Sequence, residues 1–291
     1  GIRLTEERFS GTSSLEILRS HGGAYLLLVE DNAINVEVAL ELLHGAAMRV
    51  DVAENGQIAL EKATANAYDL ILMDMQMPVM NGLDASRAIR TLPGRETTRI
   101  IAMTANAFSE DREACLAAGM NDFLAKPVEP EELYAKLCEW LPTSSLEKEV
   151  APSSADAPIA SIESDPLAPV LNALADLPDI NLERGLSMVR GNQVMYVKLL
   201  RMFVEKQKDS LIHLEKSLAE NNFASAESIV HQYKGSSGNL AILSVYEWST
   251  ELDHLLRNPI VDKQRITQLF EDIRAAVHRL SAVVTGDIPS A

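Results

Sequence analysis

Five side chains in the first half of the chain have types and positions that suit phosphorus chemistry. Glu30 and Asp31, then Asp74, Thr104 and Lys126, each follow a short apolar run of the kind that forms a buried strand. In an open parallel α/β sheet, residues just past the carboxyl ends of strands converge on one crevice. Three carboxylates gathered there repel one another unless a hard cation sits among them, and Mg²⁺, which takes oxygen ligands and keeps water, suits the set. Asp74 at its centre can then attack phosphorus, with the cation and Lys126 neutralising the equatorial oxygens and Thr104 donating a hydrogen bond to the product phosphate. Singly, each residue reads as a solvated charge or a helix cap. Their occurrence in order at successive strand ends is what makes a site. A phosphatase of the haloacid-dehalogenase type also uses an Asp nucleophile and Mg²⁺ after a strand, but it wants a second Asp two residues on; Gln76 stands there and cannot act as a general acid.

A second chemical feature lies far along the chain, in Ile229-Val230-His231-Gln232-Tyr233-Lys234-Gly235-Ser236-Ser237-Gly238-Asn239-Leu240. Two glycines inside a helical pattern each cost up to about 1 kcal/mol relative to alanine, so they require a reason. Gly235 and Gly238 fall at i+4 and i+7 from His231, which puts all three on one stripe and predicts an imidazole left uncovered. A neutral ring nitrogen near its ordinary pKa can attack phosphorus, and a cleared face admits another domain's carboxylate pocket. Lys234, at i+3, offers positive charge to an added phosphoryl group. His213, His254 and His278 lack such glycines and read as surface or packing residues. No strand precedes Gly235 and no Gly-Lys-Ser follows, so the stretch is not a phosphate-cradling loop.

Elements able to position these residues follow from periodicity. Tyr25 to Val29, Arg49 to Ala53, Leu70 to Met73, Ile100 to Met103 and Asp122 to Leu124 read as strands, alternating with helical stretches at Ala33 to Leu43, Gln57 to Ala65, Leu83 to Arg90, Glu110 to Ala118 and Glu131 to Trp140. Five βα units in a parallel sheet are expected, an α/β doubly wound domain over residues 24–141. Residues 142–178 are rich in Pro, Ser and Ala and read as a linker. Beyond it, long 3.6-residue periods at Val194 to Ala219, Ala224 to Asn239, Val245 to Leu256 and Lys263 to Val284 predict an all-α antiparallel bundle over residues 179–287. Residues 1–23 carry too little pattern to assign beyond a connecting segment.

The motifs Leu27-Leu28-Val29-Glu30-Asp31-Asn32, Ile71 to Gly82 around Asp74, Met103-Thr104-Ala105 and Lys126-Pro127 resemble the response-regulator receiver family over residues 24–141. The resemblance implies a (βα)5 fold and Asp74 as the phosphoacceptor. It also implies that Glu30 and Asp31 hold Mg²⁺ together with the backbone carbonyl of Gln76, that Thr104 and Lys126 read the phosphate, and that Phe123 is the aromatic switch residue. His231, Lys234, Gly235, Ser236 and Gly238 match the His-x-x-Lys-Gly-Ser-x-Gly motif of the histidine phosphotransfer family, which implies a four-helix-bundle core. Together the two resemble the C-terminal part of a hybrid sensor histidine kinase. That arrangement implies a histidine kinase domain as phosphate donor, in cis or in trans, and a downstream response regulator receiver as acceptor. A different expectation is a receiver that serves chiefly as a phosphorylation-regulated docking module gating the phosphotransfer domain.

Bulk properties fit this reading. At 291 residues the chain has room for two cores, and 47% hydrophobic with 23% charged residues is ordinary globular composition. Net charge is −16, and it is uneven: residues 24–141 hold 19 acids and 9 bases, residues 179–287 hold 14 and 13. Without a basic face to displace counterions, nucleic acid is not an expected partner. Apolar runs fall far short of the roughly 20 residues of a membrane span, and residues 1–19 lack a signal-peptide core, so a cytoplasmic location is expected, with any longer parent free to be membrane-anchored. Cys115 and Cys138 read as reduced helix cysteines rather than a disulfide or zinc pair. No ATP-binding kinase module is expected in the chain, since residues 1–23 are too few for one.

Overall fold

The structure, a computed structural model, describes residues 14–20, 23–104, 109–141, 167–258 and 262–286. Most of the connecting segment 1–23, the linker up to residue 166, Ala105 and Asp287 lie outside the described residues. The chain forms two compact units.

The first unit opens with helix α1 (Ser14–Ser20) and then alternates strictly: β1 (Tyr25–Val29), α2 (Ala33–Gly45), β2 (Arg49–Ala53), α3 (Gly56–Ala65), β3 (Leu70–Asp74), α4 (Gly82–Arg90), β4 (Arg99–Thr104), α5 (Ser109–Ala117), β5 (Asp122–Ala125) and α6 (Pro130–Trp140). The five strands are all parallel in the order β2-β1-β3-β4-β5. β1 and β3 are therefore covered on both faces, and Leu26 to Val29 and Leu70 to Met73 are almost wholly buried. That double burial is why these strands are unbroken apolar runs in the sequence. Edge strand β2 needs only a half-apolar face, so Arg49, Val50 and Asp51 keep some exposure. Asparagines start two of the helices: the Asn55 and Asn81 side chains accept the N–H of Ile58 and Asp84, which satisfies donors the first turn leaves unpaired.

Helix α1 was not legible in the sequence, because it is a short segment with a single amphipathic turn. It packs against α6, with Leu18 completely buried.

The second unit is helical throughout: α7 (Ala168–Ala175), α8 (Leu182–Met188), α9 (Gln193–Ala219), α10 (Phe223–Asn239), α11 (Leu243–Arg257) and α12 (Lys263–Thr285). The last four match the expected long helices to within two residues at each end. Helix α9 packs on α10 and α12, and α11 packs on the same two, which closes a four-helix bundle. Buried positions recur at i, i+3, i+4 and i+7, as in Tyr196, Leu199, Leu200 and Phe203 of α9 and Ile266, Leu269, Phe270 and Ile273 of α12. One correction concerns the linker expected to run to residue 178. Residues 168–175 form α7, whose Leu171 and Leu174 are buried and which packs on α12; one turn pair with two anchors is too short to stand out in a Pro- and Ala-rich stretch.

At the junction of α8 and α9, Gly185 has no space for a side chain. A Cβ there would lie 2.2 Å from the hydroxyl oxygen of Tyr196, and that hydroxyl donates to the carbonyl of Leu240 at 2.8 Å. Gly185→Ala should therefore displace the Tyr196 ring, break that bond and cost about 2–4 kcal/mol. Urea unfolding checks this, with Tyr196→Phe expected to lose only the smaller share due to the hydrogen bond.

Candidate functional site

Strand register alone lines up the polar residues of the first unit. Val29 pairs with Met73, so Glu30 and Asp74 leave adjacent strands side by side. Asp74 pairs with Met103 and Thr104 with Ala125, which places Thr104 and Lys126 next along the same sheet end. The order β2-β1-β3 means that the chain turns outward on opposite sides of β1 and β3, leaving a crevice at their carboxyl ends.

Carboxylate oxygens of Glu30, Asp31 and Asp74 all lie within 4.8 Å of one another in that crevice. Glu30 and Asp74 are buried and Asp31 is half-buried. The Lys126 ammonium reaches between them, 2.6 Å from Glu30 Oε2 and 2.7 Å from Asp74 Oδ2. Burial by itself would lower the Lys126 pKa, but the charges of Glu30 and Asp74 outweigh it and raise it, so the ammonium stays protonated. Burial pushes the Asp74 carboxyl up, against the pull of Lys126 and of the Gln76 N–H, which donates to Asp74 Oδ1 at 3.2 Å. Thr104 is buried at the end of β4, and its carbonyl accepts the Lys126 N–H at 2.7 Å. Phe123 is half-buried on β5 with the Arg112 guanidinium 5.4 Å from its ring centroid.

Backbone hydrogen bonds and close backbone contacts brace the loop from β3 to α4. Gly82 donates its N–H to Met75 O, and a Cβ on it would sit 2.2 Å from the carbonyl oxygen of Asp74. Gly56, at the start of α3, donates to Met80 O and is equally crowded, its Cβ position being 2.6 Å from that oxygen. Neither glycine was singled out in the sequence; Gly82 directly after Asn81 is a helix-start signal that points to the first of them. Between them the Met80 N–H donates to Pro78 O across Val79, whose φ is +69°. This is a γ-turn with a left-handed central residue, a strained form for any β-branched side chain.

In the second unit the expected motif occupies the middle of α10. His231 and Gly235 are half-buried, whereas Lys234, Ser236 and Gly238 are buried. Helix α10 packs against both α9 and α11, and its later turns enter the core. The Ser236 hydroxyl donates to Gln232 O at 2.7 Å, a bond within the helix that lets a small polar residue be buried. Burial lowers the Lys234 pKa, Asp253 raises it and Arg257 lowers it further, with a net decrease.

A doubly wound (βα)5 domain with an acidic crevice and a lysine, followed by a helical bundle with a histidine on a glycine-bearing helix, defines a two-module phosphotransfer class. Residues 26–138 match the response regulator receiver domain and residues 198–283 match the Hpt domain, so the chain carries a receiver domain followed by an Hpt domain. Signal transduction histidine-protein kinase BarA of Shigella flexneri is 28% identical over 248 residues, covering 84% of this chain and 25% of BarA. Hybrid signal transduction histidine kinase B of Dictyostelium discoideum is 42% identical over 123 residues, covering 38% of this chain and 6% of that protein. The chain therefore spans a quarter or less of the length of these relatives. Among solved structures, the receiver domain of sensor histidine kinase PA1611 from Pseudomonas aeruginosa PAO1, with a magnesium ion coordinated in its active site cleft, is 44% identical and covers 41% of this chain and 98% of that one, at a TM-score of 0.39.

Val79 is 84% exposed, so its side chain contributes little burial to offset its backbone. Asn tolerates positive φ better than a β-branched residue, and Val79→Asn should stabilise the receiver unit by about 1 kcal/mol. The check is a shift of its denaturation midpoint to higher urea.

Proposed function

We propose that this chain supplies two consecutive stations of a multistep phosphorelay, with Asp74 accepting a phosphoryl group from a histidine kinase and His231 carrying it toward a downstream response regulator. The observation that supports this most strongly is Asp74 itself: a buried carboxylate grouped with two others and held at 2.7 Å by a protonated lysine. Such a group is costly to bury unless its neighbours serve a charged ligand.

The donor set is all oxygen and carries three negative charges, which fits a hard divalent cation and not a soft one. Glu30, Asp31, Asp74 and the Gln76 carbonyl would hold Mg²⁺, which when bound supplies positive charge for the equatorial oxygens of the transferring group. An Asp74 oxygen attacks the phosphorus of the incoming phosphohistidine, and as the new P–O bond forms the donor's P–N bond breaks and its electron pair returns to the imidazole ring. Lys126 follows the charge, exchanging part of its contact with Glu30 and Asp74 for the phosphoryl oxygens. Thr104 offers its hydroxyl as a donor to those oxygens, and Phe123 responds to the rearrangement at the end of β4. In the next step a neutral ring nitrogen of His231 attacks, the P–O bond to Asp74 breaks, and the carboxylate is restored. Lys234 provides local positive charge, while Gly235, Ser236 and Gly238 keep this turn of α10 compact. We assign residues 24–141 to the receiver station and 179–287 to the phosphotransfer station, with α7, from the segment between them, packed on the latter. A cytoplasmic setting accords with the relay; among the described residues no helix is long and apolar enough to cross a membrane.

Incubation of the chain with acetyl phosphate and Mg²⁺ should label Asp74 first and His231 second. Asp74→Asn should remove both labels and a chelator should do the same, whereas His231→Gln should retain the acyl phosphate alone. Acid- and alkali-stability of the labelled protein separates the two species, and a label that persists in Asp74→Asn would refute the assignment.

A further inference from the structure

Two sulfur atoms meet beside the phosphoacceptor, and the relay chemistry above uses neither. Met75 directly follows Asp74, and its Sδ accepts the thiol hydrogen of Cys115, whose Sγ lies 3.5 Å away. Cys115 stands on α5, 40 residues further along the chain, so the contact ties α5 to the end of β3. Backbone bonds fix Met75 on both sides: its N–H donates to Met103 O at 3.1 Å, and its carbonyl accepts from Gly82 N–H at 3.1 Å. The next N–H, that of Gln76, donates to Asp74 Oδ1. Any displacement of Met75 therefore moves a group that holds the nucleophile.

The two sulfurs differ in access. Cys115 is 3% exposed and belongs to the receiver core, whereas Met75 is half-buried and packs against that core from its margin. A thiol reacts readily only once ionised and is inert when sealed in apolar surroundings; a thioether needs no ionisation, only contact with an oxidant. Met75 is thus the reactive partner and Cys115 the obstacle behind it. At 3.5 Å the pair leaves no space for an atom between them. An oxygen added to the Met75 sulfur also turns an apolar side chain into a polar one at the edge of the core. Either the side chain swings away from α5 or Cys115 is pushed back, and both disturb the segment that follows Asp74.

We propose that Met75 is an oxidation site through which hydrogen peroxide slows phosphorylation of Asp74, by breaking the sulfur contact with Cys115. This inference rests on Asp74 being the phosphoacceptor. In the reaction the Met75 sulfur attacks one peroxide oxygen and the O–O bond breaks. The leaving hydroxide takes the proton of the new S–OH group and departs as water, which leaves the sulfoxide. Sulfur loses two electrons and the peroxide gains them. A methionine sulfoxide reductase, drawing two electrons from thiols, reverses the change, so the modification is a switch and not only damage.

Dilute hydrogen peroxide applied to the full chain, followed by peptide mapping, tests this. Met75 should gain one oxygen while Cys115 stays reduced, and acetyl phosphate should then label Asp74 about tenfold more slowly, within the cost of a small misplacement beside a reacting group. Sulfoxide reductase with dithiothreitol should restore the rate. Met77 and Met80 are half-buried in the same loop, and Met75→Leu separates them: this variant should keep its labelling rate through peroxide treatment. Cys115→Ala, which makes room behind the sulfur, should be oxidised at Met75 yet lose little of its rate. If that variant fails to fold, the Met75→Leu comparison decides alone. A Met75 that peroxide leaves unmodified, an oxidised Met75 chain that labels at the untreated rate, or a Met75→Leu protein still slowed by peroxide would overturn the proposal. So would a folded Cys115→Ala protein slowed as much as the unaltered chain. These failures leave the relay reading intact, whereas an untreated chain that takes no label on Asp74 sinks both.

Discussion

Everything in the receiver unit is arranged around one electrostatic fact: a lysine ammonium is buried between two carboxylates, with a third close by. Lys126 at 2.6 Å from Glu30 and 2.7 Å from Asp74 offsets part of a repulsion that would otherwise force one of the acids to take up a proton or the crevice to open. One positive charge against three negative ones leaves a deficit. The excess negative charge makes the crevice suited to a hard divalent cation. The sheet serves this arrangement by register. Shifting β1 against β3 by a single residue would turn Glu30 to the other face and separate it from Asp74.

The helical unit solves a different problem with comparable means. A histidine must be reachable while the helix that bears it stays packed, and small residues in the following turns allow both. Ser236, Ser237 and Gly238 let α10 sink into the bundle beyond His231, the two serine hydroxyls donating back to the helix's own carbonyls.

Much of this was legible in the amino-acid order, and the reasons differ by element. β1 and β3 announce themselves because two-sided burial demands unbroken apolar runs, and Glu30, Asp31 and Asp74 are conspicuous directly after them. The four long helices show through sustained periodicity. Helices α1 and α7 did not, since two buried leucines or one in a short segment produce no period that stands above composition. Glycine spacing describes one helix and takes no account of its neighbours, so the packing of α10 on α9 and α11 was not legible from it.

The cramped carbonyl of Asp74 has a bearing on how sequence variation in this crevice should be interpreted. Gly82 and Gly56 carry no charge and touch no phosphate, yet each abuts a peptide oxygen so closely that a methyl group cannot enter. Intolerance to replacement here is thus divided between residues that perform chemistry and residues that merely keep out of its way. Ranking positions by their mutational sensitivity would blend the two, and only measurements that distinguish a misplaced nucleophile from a missing one would sort them.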